Sequence, residues 1–403
     1  MTSRERLLTA LDGGQPDRLP VTTHHLMPWF LSTYMDGASE DEFFRKFGLD
    51  SVRWAYDWEP DPDRGEYWGP GDEGGPLNDD GGPGDSTAGP WIVSDSWRIE
   101  ATELPGPGLG PGPGPGRKVR YDIETPGGAL SMVMEYGPQT DWVLERPIKD
   151  KGQIELFHRY APWGRCVVDV VNEKVLELGD RGILRGAVPG FEIYGQPGCW
   201  QDAVELFGVQ ELIMQTRDDP GWVRELLSLL RDRKRAAIGS MEGADFDLIE
   251  LGGGSASSTV ISPAIFQEFV APYDADLIEA AHQVRKRVVY HTCGGMMPLL
   301  EMIADMGPDA METFTPPALG GDTDLGEAKG RIGSRVCMIG GFDQHTFFRG
   351  CDPEDTRRAV RRCFQEAGSG GGFILAPSDH FFHADLELLE AFGQQGRACL
   401  YTS

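Results

Sequence analysis

Eight short runs of apolar and β-branched residues, separated by windows with helical periodicity, constrain this chain more than any other feature. They are Leu19–Thr23, Ser51–Tyr56, Ile183–Val188, Leu248–Gly252, Arg287–His291, Ala310–Phe314, Val336–Ile339 and Phe373–Ala376. Strands that alternate with helices predict a parallel α/β sheet, and eight such units predict a closed (β/α)8 TIM barrel rather than an open doubly wound sheet. A chain of 403 residues can bury the core of such a barrel as a single domain over 1–403 without covalent staples. Before the first run, Leu7, Leu8 and Leu11 recur at helical spacing and a glycine follows, which predicts a short N-terminal helix.

One stretch breaks the alternation. Residues 59–90 are dominated by Gly, Pro, Asp and Glu, and 105–116 are nearly pure Pro and Gly, so neither can bury enough apolar area to order a core. Around them, Trp91–Leu104 and Lys118–Tyr136 alternate polar and apolar residues between turn signals, which predicts β-hairpins. The whole 59–145 block reads as an insertion after strand two. Loops that follow barrel strands converge where active sites are built, so the insertion is expected to serve as a lid, with solvated decoration as the bland alternative.

Composition excludes several classes of function. The net charge of -27 would repel a phosphate backbone, so no nucleic-acid partner is expected. The 7 cysteines show no disulfide framework, Met1–Gly13 lacks the apolar core of a signal peptide, and no apolar run is long enough for a membrane span. The expectation is a soluble cytoplasmic protein that makes no membrane contact, with a homodimer as a candidate assembly. A phosphate-binding loop, a nucleophile elbow and a dinucleotide fingerprint are all missing from the sequence.

Chemistry-bearing residues gather at the ends of the runs. Val288-Val289-Tyr290-His291-Thr292-Cys293-Gly294-Gly295 is an apolar strand that ends in a His-x-Cys pair. Side chains at i and i+2 of an extended segment leave the same face, and imidazole with thiolate suits zinc. Glu312 on the next run is a candidate fourth ligand or an orienting partner of His291, and Glu250 is a similar carboxylate one run earlier. His24 and His25 close the first run, where they could bind substrate or move protons, and Asp343 closes Gly340-Gly341-Phe342-Asp343 as either a site carboxylate or a helix cap. Trp29, Trp54, Tyr56 and Asp57 lie at or beyond runs one and two as candidate substrate walls, and His380, beyond the last run, is a further substrate-binding candidate.

The order of these elements, with Pro16-Asp17-Arg18-Leu19-Pro20-Val21 at the start and Gly371-Gly372-Phe373-Ile374-Leu375-Ala376-Pro377-Ser378 near the end, resembles the uroporphyrinogen decarboxylase-like superfamily. The likeness is patchy over 3–60 and dense over roughly 240–390. True decarboxylases carry an arginine-rich segment after strand one, whereas this chain has His24-His25-Leu26-Met27-Pro28-Trp29-Phe30, which leaves a polycarboxylate without counter-charges. The branch it resembles more is that of the zinc methyltransferases linked to corrinoids. That resemblance implies a zinc ion on His291 and Cys293, with Asp379 or His380 in place of the usual later cysteine and Glu312 as a further ligand. It also implies a small-molecule acceptor, with a methyl-corrinoid on a partner protein, a folate, or a small methylated compound as donor. A metal-free decarboxylase or lyase acting on a smaller acid, with His24, His25, Glu250 and Asp343 handling protons, is the alternative. A non-catalytic barrel is the third.

Overall fold

The computed structural model describes residues 1–61, 67–68, 93–94, 96–105, 117–137, 139, 141–189 and 197–401. These fall into two compact units, one of residues 1–55, 171–186 and 245–403, the other of residues 56–170 and 187–244.

The first unit holds a parallel sheet of seven strands in chain order, β1 (Ser51–Ala55), β2 (Gly182–Ala187), β3 (Leu248–Gly252), β4 (Val288–His291), β5 (Ala310–Thr313), β6 (Cys337–Phe342) and β7 (Phe373–Pro377). Seven of the eight expected runs are thus strands. The remaining run, Leu19–Thr23, is corrected to a single bridge residue, Val21, which pairs in parallel with Leu375. Its backbone still lies between the two ends of the sheet. The Thr22 N–H donates to the Leu375 carbonyl (2.9 Å), and the Asp50 N–H, just before β1, donates to the Val21 carbonyl (2.6 Å). Two features keep it from forming a regular ladder: Pro20 has no N–H to give, and the Val21 N–H donates to the Asp50 carboxylate instead. The result is a curled sheet with its seam filled, which is the TIM-barrel-like fold expected.

Period-two alternation sorts the inward residues of the strands into two layers. Val52, Ile183, Leu248, Val289 and Ala310 join one buried apolar cluster with Leu7 and Leu11 of the helix α1 (Ser3–Leu11). That helix plugs the floor. It starts cleanly because Thr2 and Glu5 form a capping box. Two residues further along each of the same strands stand Trp54, Arg185, Glu250, His291 and Glu312. The apolar layer fixes the strands, and the polar layer is carried above it on rigid supports.

The second unit contains a four-stranded antiparallel sheet of Arg98–Glu103, Arg117–Thr125, Gly128–Tyr136 and Asp141–Glu145. Val119, Tyr121, Met132 and Met134 form its buried face. The hairpin between Arg117–Thr125 and Gly128–Tyr136 falls where alternation predicted one, while most of the Pro-Gly segment lies outside the described residues. The helices Cys199–Phe207 and Pro220–Ser240 also belong to this unit, joined by an ion pair between the buried Lys234 and Asp202 at 2.8 Å. Among the described residues no helix is long and apolar enough to cross a membrane.

Candidate active site

The polar layer converges on one guanidinium. Arg185, 3% exposed, bridges both glutamates: Nη1 donates to Glu312 Oε2 at 2.9 Å, and Nη2 pairs with Glu312 Oε1 and Glu250 Oε2. Its Cζ lies 4.4 Å from the Trp54 ring centroid, and the His25 ring stacks on the same indole at 4.1 Å and 14°. Two groups stacked this closely take up both faces of the indole, so Trp54 is a spacer between them more than an open wall. His291 Nδ1 is 2.9 Å from Glu312 Oε1, and the His24 and His291 rings stack at 5.0 Å. One ligand-type atom each from His24, Glu250, His291 and Glu312 lie within 4.8 Å of one another, and all four side chains are buried.

Burial sets the protonation of this group, and the ion pairs modify it. Loss of solvent pushes His24 down to about 3, with the Glu312 carboxylate opposing, so the imidazole is neutral at physiological pH. His25 is lowered in the same sense by burial and by His24 beside it. Burial would also lower His291, but the Cys293 side chain and the two carboxylates outweigh it and hold the ring well above the ordinary histidine range. Burial raises Glu250 against the pull of Arg185. For Glu312 burial acts in the same direction, and there Arg185, His24 and His291 win and keep it ionised.

The structure therefore brings together four of the expected residues, His24, Glu250, His291 and Glu312, and gives the others different surroundings. Cys293 is half-exposed and is not in the convergent group; nor is Asp379. Asp379 Oδ1 instead faces His380, 2.8 Å from Nδ1 and accepting from the backbone N–H at 2.7 Å. Asp343 caps the short helix Gln344–Phe347 through the Thr346 N–H at 2.9 Å, which is the helix-cap alternative. Trp29 is half-buried on the helix Pro28–Tyr34. Tyr56 and Asp57 belong to the second unit. Arg185 was missed. Its signal was present, a lone charge in the inward register of the otherwise apolar run Ile183–Val188, two residues after Ile183.

Two observations bear on whether these residues fit a divalent metal. Among the described residues Glu250 Oε1 is fully buried with no hydrogen-bond partner, an expensive state for a carboxylate oxygen, and His291 Nε2 is buried with no partner but the Cys293 thiol beside the ring, so a metal that displaced its proton would meet a nitrogen ligand there. The donor chemistry, two imidazoles and a carboxylate with a second carboxylate on the far nitrogen of His291, is that of a catalytic zinc site with an open position. Arg185 takes both oxygens of Glu312 and one of Glu250, which leaves Glu312 to orient and Glu250 Oε1 to ligate. The residues fit.

Comparison with known proteins agrees with this architecture. Residues 118–392, more than half of the chain, match the family model described as uroporphyrinogen decarboxylase (URO-D). Among curated relatives, the uroporphyrinogen decarboxylase of Pseudomonas savastanoi pv. phaseolicola is 35% identical over 127 residues, 30% of this chain and 32% of the relative. That of Hydrogenovibrio crunogenus is 22% identical over 277 residues, 66% of this chain and 73% of the relative. The chain thus spans only about a third of the first relative's length. Among solved structures, a methyltransferase from Methanosarcina mazei superposes with a TM-score of 0.61 at 16% identity, covering 98% of both chains.

Proposed function

This chain belongs to the uroporphyrinogen decarboxylase family, and from that premise we propose that it is a metal-dependent methyltransferase acting on a small molecule. The observation that carries the reading is the buried quartet of His24, Glu250, His291 and Glu312, in which Glu250 Oε1 has no hydrogen-bond partner among the described residues. The full-length likeness to a methyltransferase structure supports the same branch. Zinc is the metal proposed, and the methyl donor is a corrinoid on a partner protein, a folate, or a small methylated compound.

His24, Glu250 and His291 would hold the ion, which supplies Lewis acidity that lowers the pKa of an acceptor hydroxyl or thiol. Everything else is done by the chain. Glu312 fixes the His291 ring by accepting at Nδ1, so that Nε2 faces away from the carboxylate. Arg185 holds both glutamates in one orientation and is itself immobilised on Trp54. Cys293, half-exposed beside His291, and the Asp379–His380 pair stand as the residues that receive the acceptor and its proton.

A metal-free decarboxylase remains the second reading, because the matching family model and curated relatives carry that name. Against it, Arg185 is committed to two carboxylates and residues 24–30 hold no arginine, so a polyanionic substrate would find little counter-charge there. Elemental analysis separates the two. We expect about one zinc per chain, retained in Cys293→Ala and Asp379→Ala and lost in Glu250→Gln and His291→Ala, as a three-ligand catalytic site requires. Loss in Cys293→Ala and Asp379→Ala would return the ion to His291, Cys293 and Asp379. Metal-free protein from zinc-replete cells would sink the methyltransferase reading.

A further inference from the structure

Between the apolar floor of the barrel and its charged ring lies a small cavity. Leu7, Ile183 and Ile374 line it from below, and Thr23, His24, Arg185 and Glu312 line it from the charged side. It offers about 20 Å³ to a water-sized sphere, against the roughly 10–15 Å³ that one water needs. Three of its lining residues carry a buried polar atom with no hydrogen-bond partner among the described residues: Thr23 Oγ1, His24 Nδ1 and Arg185 Nε. All three residues are more than nine-tenths buried. In addition, His24 Nδ1 stands 3.7 Å from Glu312 Oε1, beyond direct hydrogen-bond reach.

We propose that one water molecule occupies this cavity and bridges Thr23, His24 and Arg185, fixing the tautomer of His24. The mix of partners selects water over an ion. A cation would face the Arg185 guanidinium, and an anion would face the Glu312 carboxylate. Water can accept from Arg185 Nε–H and His24 Nδ1–H and donate to Thr23 Oγ1 and to Glu312, which meets every unpaired group in the cavity at once. With its proton held on Nδ1, the neutral His24 ring keeps its lone pair on Nε2, the form that a ligand or a base needs. The water does not depend on a metal, so metal-stripped protein keeps it.

Crystals at atomic resolution and long-range proton–nitrogen NMR of the histidine rings test this. Expected are a single solvent peak within hydrogen-bond distance of Thr23 Oγ1, His24 Nδ1 and Arg185 Nε, and His24 as one tautomer protonated on Nδ1. Thr23→Val should lose the peak and turn His24 into a mixture of tautomers, whereas Thr23→Ser, which keeps the hydroxyl, should retain both. A dry cavity in the native crystals overturns the proposal, and so does a His24 protonated on Nε2 alone.

Discussion

Arg185 shows why a single residue can organise a site and still escape a reading by pattern. A charge inside an apolar run looks like an interruption of the strand, and only the fold shows that its register is the one that carries Trp54, Glu250, His291 and Glu312 on the other strands. The histidines and glutamates were legible because they end their runs; the convergence of His24 with Glu250 depends on strand neighbours far apart in sequence. Removing one partner of a buried pair leaves a charge uncompensated, so Arg185→Met should destabilise the fold by about 3–5 kcal/mol in denaturant titrations. A loss of less than about 1 kcal/mol, the worth of a surface pair, would mean that the glutamates simply take up protons.

Thiols give a second residue-scale prediction. Burial pushes Cys337 and Cys363 up to about 12, while both thiols in the unfolded chain titrate near 9.0. The unfolded state then releases protons that the native state keeps, so stability falls as pH rises from about 9 towards 12 and is fully present below that window. Urea midpoints at several pH values should decline over this range, with a shallower decline in Cys363→Ala. At neutral pH, iodoacetamide should modify the half-exposed Cys293 and Cys351 well before these two. Bound zinc that slowed Cys293 alone would place the ion nearer the thiol than the quartet does.

At the scale of elements, the helix α1 was legible from its helical spacing of leucines, and strands β1 to β7 from short apolar runs that are buried largely on both sides. The failure is instructive. Leu19–Thr23 is an apolar and β-branched run like the strands, yet Pro20 and the Asp50 side chain each remove a ladder bond, and neither effect appears in a hydropathy pattern. Asp50 is in turn held by Arg6 of α1 at 2.6 Å, so the floor helix and the barrel seam share one carboxylate. Leu7, fully buried in the floor, should cost about 2–5 kcal/mol on truncation to Ala, whereas Thr2→Ala, which removes only the cap, should cost about 1 kcal/mol. Thermal or urea unfolding of the two variants checks the ranking, and equal losses would mean that α1 does not pack as a plug.

For the whole molecule, the charge of -27 spread over 403 residues acts against compaction through self-repulsion. Added sodium chloride should therefore raise the unfolding midpoint between low and about 0.15 M salt, where screening shortens to roughly 8 Å. A midpoint that falls instead would mean that the many surface ion pairs outweigh the repulsion.

The two-layer interior has a consequence for how such a chain can change over time or by design. Val52, Ile183, Leu248, Val289 and Ala310 hold the barrel together, and the residues two places later on the same strands form the polar layer. Because neighbouring storeys share strands but not duties, the upper one can be refurnished while the foundation stays untouched, provided Arg185 and its two glutamates change as a set. A library at 54, 185, 250, 291 and 312 should yield folded proteins where 185, 250 and 312 are replaced together by an apolar or mutually paired set, and few where one charge of the three is left alone.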